Sequence, residues 1–199
     1  MADIKVFAEN LEDSTKEQIE EISSCSAFEG AKIRIMPDAH KGKGCVIGFT
    51  ANLGDKVIPN LVGVDIGCGM YCAPLAETIA RADLIQFNRD VKRAVPTGFC
   101  LHHDPACVLA DFGMESRDWL QDKRKVERSM GTLGGGNHFI ELDEDEDGCQ
   151  YLVVHTGSRN MGKQTAEHHQ ALAQKTCTAD IPDELKYLVG DLSAEYLVD

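Results

Sequence analysis

The sequence predicts an α+β fold, a mixed arrangement of strands and helices in one domain over residues 1–199. Short apolar runs bounded by glycine or proline are typical of strands, whereas residues 78–94 repeat apolar side chains at helical spacing. The composition, 43% hydrophobic and 27% charged, is that of a soluble globular protein. A chain of 199 residues is long enough for one sizeable core.

The first half of the chain is predicted to contain one helix among several strands. Residues 3–8 form the first expected strand. The Ser14-Thr15-Lys16-Glu17 pattern then matches a capping box, in which side chains bind backbone N–H groups of the first turn, and predicts a helix that ends near Ser23. Apolar runs predict further strands at residues 33–36, 45–51, 57–64 and 70–75.

The second half is predicted to be mainly helical with one pair of strands. Residues 136–142 and 151–155 are expected to pair around an acidic turn, which brings His138 and His155 together. Helices are expected at residues 78–94, 115–128, 158–176 with Ser158 as N-cap, and 192–198.

Charge and hydropathy argue against several classes of protein. The formal net charge of −13 argues against a broadly basic nucleic-acid surface. Six acidic residues lie within residues 141–147, so much of the negative charge is concentrated in one loop. A local basic cleft near the glycine motifs therefore stays possible. No run approaches the roughly 18 apolar residues of a membrane span, and the N-terminus has no apolar signal core. We therefore expect a cytoplasmic protein with reduced cysteines and no membrane partner.

The most informative motif is residues 62–70 (VGVDIGCGM), where Asp65 and Cys68 lie three positions apart among glycines. Taken alone, a turn-capping aspartate and a buried thiol explain this spacing. Two further strand-like runs, however, end in His138 and His155 near glycine. A carboxylate, a thiolate and two imidazoles suit a transition metal better than calcium or magnesium. These four residues are candidate metal ligands.

Four motifs, taken in order, resemble the RtcB family of RNA ligases. They are residues 36–45 (MPDAHKGKGC), 62–70 (VGVDIGCGM), 131–141 (GTLGGGNHFIE) and 155–159 (HTGSR). The resemblance runs almost end to end but covers only the N-terminal half of the family. It implies an RtcB-like mixed sheet and helix fold that is incomplete at the C-terminus, because the chain stops at Asp199 inside a predicted helix.

The resemblance implies roles at the metal and nucleotide sites. The matching metal ligands are Asp65, Cys68, His138 and His155. In the family the matching thiolate bridges two manganese ions, and we expect at most one tightly bound metal in this chain. The positions that match nucleotide contacts are Asn137, Phe139 and Glu141.

The resemblance implies two further groups of residues. Asp38 and His40 match a segment beside the nucleotidyl site, where an acid orients a histidine, although a simple turn after Pro37 also explains them. The residues expected to contact RNA phosphates are Lys41, Lys43 and Arg159.

The reaction implied by the resemblance joins RNA 3′-phosphate or 2′,3′-cyclic phosphate ends to 5′-hydroxyl ends, with GTP as co-substrate and manganese as cofactor. A histidine is guanylylated, GMP moves to the RNA to give an RNA-3′-ppG end, and the 5′-hydroxyl displaces GMP. The nucleotidyl histidine belongs to the family's C-terminal half, so no histidine of this chain is assigned that role. We expect the isolated chain to be inactive.

Two other functions stay open from the sequence. One is a non-catalytic metal-binding or RNA-binding remnant, and the other is a metal-dependent phosphoesterase, which needs no nucleotidyl histidine. The partners expected for the ligase are RNA, the missing C-terminal half and an activator that resembles archease.

Overall fold

The computed structural model describes residues 2–42, 44–63 and 66–199. The chain divides into two compact units: unit 1 comprises residues 1–63 and 166–199, and unit 2 comprises residues 64–165. Each unit combines helices with a three-stranded sheet, so the predicted α+β class is confirmed. The assignment of all 199 residues to a single domain stays a prediction.

Strands and helices are distributed over both units. The strands are β1 (Asp3–Val6), β2 (Lys32–His40), β3 (Ile47–Asn52), β4 (Gly69–Pro74), β5 (Phe139–Glu144) and β6 (Gln150–Thr156). The α-helices are α1 (Asp13–Ser24), α2 (Pro59–Val62), α3 (Leu84–Ala94), α4 (Lys123–Ser129), α5 (Arg159–Thr176) and α6 (Asp191–Val198). None of the described helices has the length and apolar composition needed to cross a membrane.

The sheet of unit 1 has the order β1-β2-β3, with β1 parallel and β3 antiparallel to β2. Successive strand side chains point to opposite faces, so Ile33 and Ile35 of β2 lie on one face of the sheet. Both are buried, and they pack with Ile22 of α1, with Phe28 and with Ile58. These residues form the core of unit 1.

Helix α1 also fixes the loop that follows β2. Thr15, Gln18 and Ile22 have the spacing of one helix face, and all three are buried. The side-chain amide of Gln18 donates to the carbonyl of Gly42 at 3.0 Å, and its carbonyl oxygen accepts from the Gly42 N–H at 3.2 Å. The segment that contains Lys41 and Gly42 is therefore held against α1.

The sheet of unit 2 has the order β4-β6-β5, and both pairings are antiparallel. The predicted strand pair around the acidic turn is confirmed as β5 and β6. Asp145 closes that turn by accepting from the N–H groups of Asp147 and Cys149, and these bonds, led by that from Cys149, lower the pKa of its carboxyl. One face of the sheet, through Ile140 and Val154, lines an apolar cavity of about 560 Å³.

Three predicted elements differ from the structure. The predicted capping box is wrong. Helix α1 begins at Asp13, so its N-cap residue is Glu12 rather than Ser14, and the Glu12 side chain makes no capping hydrogen bond. Among residues 57–63, predicted to be strand, Pro59–Val62 form a helix, since the fixed φ of Pro59 suits a first helical position. The helix predicted at 115–128 is reduced to α4. The residues before α4 form successive turns instead, and these turns bury Met114 and Leu120 in an apolar cluster of unit 2.

Candidate metal centre

Three strand ends of unit 2 meet at one edge of its sheet. Strand β6 is central and antiparallel to both neighbours, so its C-terminal end lies beside the N-terminal ends of β4 and β5. Cys68 directly precedes β4, His138 directly precedes β5, and His155 is the second-last residue of β6. The topology therefore brings together three side chains that are far apart in the sequence.

The ligand atoms of Cys68, His138 and His155 converge. One ligand atom from each residue lies within 4.8 Å of the other two, which makes this the one such group of three among the residues that the structure describes. The Sγ of Cys68 is 3.9 Å from Nε2 of His138. The two imidazole centroids are 5.5 Å apart, which confirms the predicted proximity of the histidines.

Backbone carbonyls orient both imidazoles. Nδ1 of His138 lies 2.9 Å from the carbonyl oxygen of Leu133, and Nδ1 of His155 lies 3.2 Å from that of Gly69. A carbonyl oxygen only accepts, so in each neutral imidazole Nδ1 carries the proton and Nε2 keeps its lone pair. A metal ligated through Nε2 requires this tautomer. In metal sites the other ring N–H of a ligating histidine commonly donates to a backbone carbonyl.

The loop before His138 is held by a second segment of unit 2. The carbonyl of Leu133 also accepts from Oγ1 of Thr156 at 3.1 Å. The N–H of Leu133 donates to Pro96 at 2.9 Å, and the N–H of Gly98 donates to the carbonyl of Gly134 at 2.7 Å. Sequence reasoning missed these supports, because a backbone carbonyl leaves no signal in the side-chain pattern.

Arg159 packs against the same loop. Its Nη2 donates to the carbonyl of Gly98 at 3.2 Å. Gly134 has a φ of +81°, and a Cβ at this position would collide with the guanidinium of Arg159. The positive φ therefore favours glycine here, and a side chain at this position would require the guanidinium of Arg159 to move. The predicted contact of Arg159 with an RNA phosphate stays a prediction, since the guanidinium here faces Gly98.

Ser158 supports the loop that carries Cys68. Its hydroxyl donates to the carbonyl of Ile66, and the serine directly precedes α5, the position at which the sequence predicted an N-cap. A Cβ at Gly67 would lie 3.2 Å from Cβ of Ser158, so the loop and the serine are in close contact. Asp65, the fourth predicted ligand, lies outside the described residues.

The predicted nucleotide residues lie at the start of β5 beside this cluster. Directly opposed residues of antiparallel strands share a face, so Phe139 lies on the same face as His155, and their ring centroids are 5.6 Å apart. Glu141 follows two positions later on that face. Asn137 and Glu141 are exposed. Their contact with a nucleotide stays a prediction.

The other predicted site residues belong to unit 1. Asp38 and His40 are exposed residues of β2, and Nδ1 of His40 lies 2.9 Å from the backbone carbonyl of Asp38. The peptide backbone, rather than the aspartate carboxylate, therefore orients this imidazole. Lys41 is exposed, and Lys43 lies outside the described residues. The roles of these four residues stay predictions.

From the sequence, the pairs His102-His103 and His168-His169, which lack a glycine setting or partner ligands, are expected to face solvent, and His169 contradicts this expectation. Its side chain is fully buried and its Nε2 lies 3.1 Å from Oδ2 of Asp199. The reason is helical spacing, because Ala166, His169 and Ala173 form one buried stripe of α5. Partial burial lowers the pKa of the neighbouring His168.

The donor set fits a transition-metal ion. Metal–sulfur and metal–nitrogen bonds of about 2.3 and 2.1 Å in a tetrahedral site place ligand atoms about 3.5 Å apart. The observed separations, 3.9 Å between Cys68 Sγ and His138 Nε2 and at most 4.8 Å within the group, would have to close by at most about 1.3 Å. Cys68 is exposed while both histidines are half-buried, which leaves a side open to a further ligand.

Comparison with known proteins identifies the family. Residues 18–117 and 111–193 match the sequence profile described as tRNA-splicing ligase RtcB, and the match includes the whole candidate centre. The chain belongs to the RtcB family. The resemblance drawn from the four motifs is thereby confirmed.

Individual members of the RtcB family are similar over most of this chain. RNA-splicing ligase RtcB of Escherichia coli (strain K12) is 34% identical over 163 positions, which cover 72% of this chain and 40% of that relative. tRNA-splicing ligase RtcB of Nanoarchaeum equitans is 28% identical, covering 79% and 44%. The Thermococcus kodakarensis protein of the same name is 26% identical, covering 87% and 47%. The chain spans less than half the length of these relatives.

Proposed function

We propose that this chain supplies the metal-binding portion of a cytoplasmic RNA ligase that joins 3′-phosphate or 2′,3′-cyclic phosphate ends to 5′-hydroxyl ends with GTP and manganese. The observation that carries the proposal is the convergence of Cys68, His138 and His155 at one sheet edge in an RtcB-family chain. We propose Asp65 as a further ligand, because it lies three positions before Cys68.

Two backbone carbonyls would orient the imidazole ligands of the centre. The carbonyls of Leu133 and Gly69 accept from Nδ1 of the two imidazoles, which leaves Nε2 of each available to a metal. When bound, manganese would supply positive charge that polarises a phosphoryl oxygen. Cys68 would contribute the one thiolate, whose negative charge and several lone pairs suit it to a shared or bridging position.

The nucleotide would lie along the start of β5. The ring of Phe139 offers an apolar face next to His155, and the carboxylate of Glu141 can only accept, as recognition of guanine N–H groups requires. The side-chain amide of Asn137 can donate to a phosphate oxygen. This assignment is supported by the shared sheet face and by the family.

The remaining assignments rest on family membership. Lys41 and Lys43 would bind RNA phosphates as point charges, and Asp38 and His40 would lie beside the nucleotidyl site. Arg159 would have to release Gly98 to reach a phosphate. The histidine that carries GMP is proposed to lie in the part of the ligase that this chain does not match, and an archease-like activator is proposed as a partner.

The test uses RNA with a 2′,3′-cyclic phosphate end, GTP, manganese and the 199-residue chain. We expect manganese-dependent RNA binding, no covalent guanylate on the chain and no opening of the cyclic phosphate. Cys68→Ala should abolish the manganese dependence, whereas His103→Gln, at an exposed histidine outside the centre, should preserve it. Adding the unmatched part of a relative as a separate polypeptide should produce guanylylation of that part and ligation.

Each alternative function has its own outcome in this test. Opening of the cyclic phosphate by the chain alone, lost in Cys68→Ala, would indicate a phosphoesterase. Manganese-dependent binding that never leads to ligation with the added part would indicate a non-catalytic remnant. RNA binding that ignores manganese and Cys68 would contradict the proposed centre.

A further inference from the structure

Phe99 is fully exposed at the tip of a tight turn in unit 2. Its relative exposure is 103%, whereas the other exposed large apolar residues of the described chain reach at most 78%. The ring therefore has almost no contact with the folded chain. Isolated apolar side chains on a surface are common and need no partner. The position of this ring, rather than its exposure, makes it informative.

The backbone on both sides of Phe99 is fixed. The N–H of Cys100 donates to the carbonyl of Thr97 at 3.1 Å, which closes the turn. The N–H of Gly98 donates to Gly134 at 2.7 Å, and the carbonyl of Gly98 accepts from Arg159 at 3.2 Å. A mobile loop could fold its ring onto the surface, but this turn is held so that the ring stays in solvent.

The anchor of this turn is the loop that orients His138. Leu133, which binds Nδ1 of His138 through its carbonyl, directly precedes Gly134. Pro96 and Gly98 are hydrogen-bonded to Leu133 and Gly134 respectively, so the turn is attached to the loop that leads to His138. The next residues of that loop, Gly135 and Gly136, are exposed and have no side chains to cover the ring.

We propose that Phe99 stacks on a nucleobase of a single-stranded RNA end held at the metal centre. This inference rests on the proposed function and names the contact that orients the RNA. Every base has an aromatic face, so such stacking tolerates any sequence. A chain with a net charge of −13 gains little RNA affinity from a general attraction to phosphates. A stacking contact, which does not depend on charge, would therefore contribute a larger share of that affinity. The same charge disfavours a second copy as the occupant.

The test measures binding of a labelled ten-nucleotide RNA with a 3′-phosphate to the 199-residue chain with manganese. Phe99→Ala should weaken binding by roughly tenfold or more. Phe99→Trp should retain it, while Phe99→Leu should behave as Phe99→Ala because it is apolar without an aromatic face. Phe7→Ala, at an exposed phenylalanine of unit 1, is the matched control and should bind as wild type. RNA with abasic positions at its 3′ end should bind wild type and Phe99→Ala equally.

The outcomes separate this inference from the proposed function. If Phe99→Ala binds as wild type while Cys68→Ala loses manganese-dependent binding, stacking is wrong and the proposed function stands. If wild type shows no manganese-dependent RNA binding, the proposed function falls and the stacking role falls with it. If Phe99→Ala changes the elution volume in size-exclusion chromatography but not RNA affinity, the ring contacts protein, and the inference is overturned.

Discussion

Nε2 of His138 lies 3.9 Å from Sγ of Cys68, although 70 positions separate the two residues in the chain. The antiparallel order β4-β6-β5 produces this proximity, because both residues directly precede a strand that pairs with β6. The fold of unit 2 therefore brings these two candidate ligands together.

Loss of either histidine should weaken metal binding. Removal of an outer partner of a metal ligand typically costs 10- to 100-fold in affinity, so His138→Gln or His155→Gln should cost at least about 100-fold. Cobalt(II) titration, followed through the thiolate-to-metal absorption band, measures the change. His103→Gln is the control, because His103 is exposed and bonded only locally to Asp104. Equal affinities for the three variants would contradict the ligand assignment.

Gly134→Ala should destabilise the chain more than Gly113→Ala. Both glycines have positive φ, +81° and +68°, so both variants pay for an unfavourable backbone conformation, about 1–2 kcal/mol. Only at Gly134 does the added Cβ collide with Arg159. Urea unfolding should show the difference, and Arg159→Ala combined with Gly134→Ala should be less than additive. Equal losses of unfolding free energy in the two alanine variants would show that the Arg159 guanidinium moves aside without destabilising the chain.

The thiol of Cys45 should make the chain less stable in alkali. Burial raises the pKa of Cys45 to about 12 from an ordinary 9.0, so the unfolded chain loses this proton at lower pH than the folded chain. The stability that the thiol contributes is intact below pH 9 and is lost between pH 9 and about 12. Urea unfolding at pH 8 and pH 10 should show a larger loss for wild type than for Cys45→Ala. Parallel losses would contradict the raised pKa.

Removal of the His169 imidazole should destabilise unit 1. His169 and Asp199 are both fully buried and 3.1 Å apart, so His169→Leu leaves a buried carboxyl without this partner. Leaving a buried hydrogen-bonding group without its partner costs about 1–3 kcal/mol. His168→Leu is the matched control on the adjacent, partly exposed histidine and should cost much less. Chemical denaturation measures both; equal costs would show that the buried contact contributes no special stability.

The sequence predicted those features that depend on side-chain pattern. Apolar runs on either side of an acidic turn identified β5 and β6, and the pairing of these strands brings His138 next to His155. Glycine beside a ligand residue identified the Cys68 loop. These features can be predicted from the sequence because they depend on local spacing and on the chemistry of single side chains.

The features that the sequence did not predict depend on tertiary contacts. Ser14 begins a capping pattern, but helix α1 starts one residue earlier and buries Thr15 in the core of unit 1. Ser158 directly precedes α5, at the predicted N-cap position, but the contact of its hydroxyl with Ile66 was not predicted. The burial of His169 follows from its place on α5, because tertiary packing overrides the polarity of a single residue.

Metal content tests the central claim most directly. The 199-residue chain, loaded with manganese or zinc, dialysed and analysed for elements, should retain one equivalent of metal. Cys68→Ala should retain none, and His103→Gln should retain the wild-type amount. No retained metal in wild type, or undiminished metal in Cys68→Ala, would show that Cys68, His138 and His155 do not form the metal centre. Two retained equivalents would contradict the expectation that this chain holds at most one metal tightly.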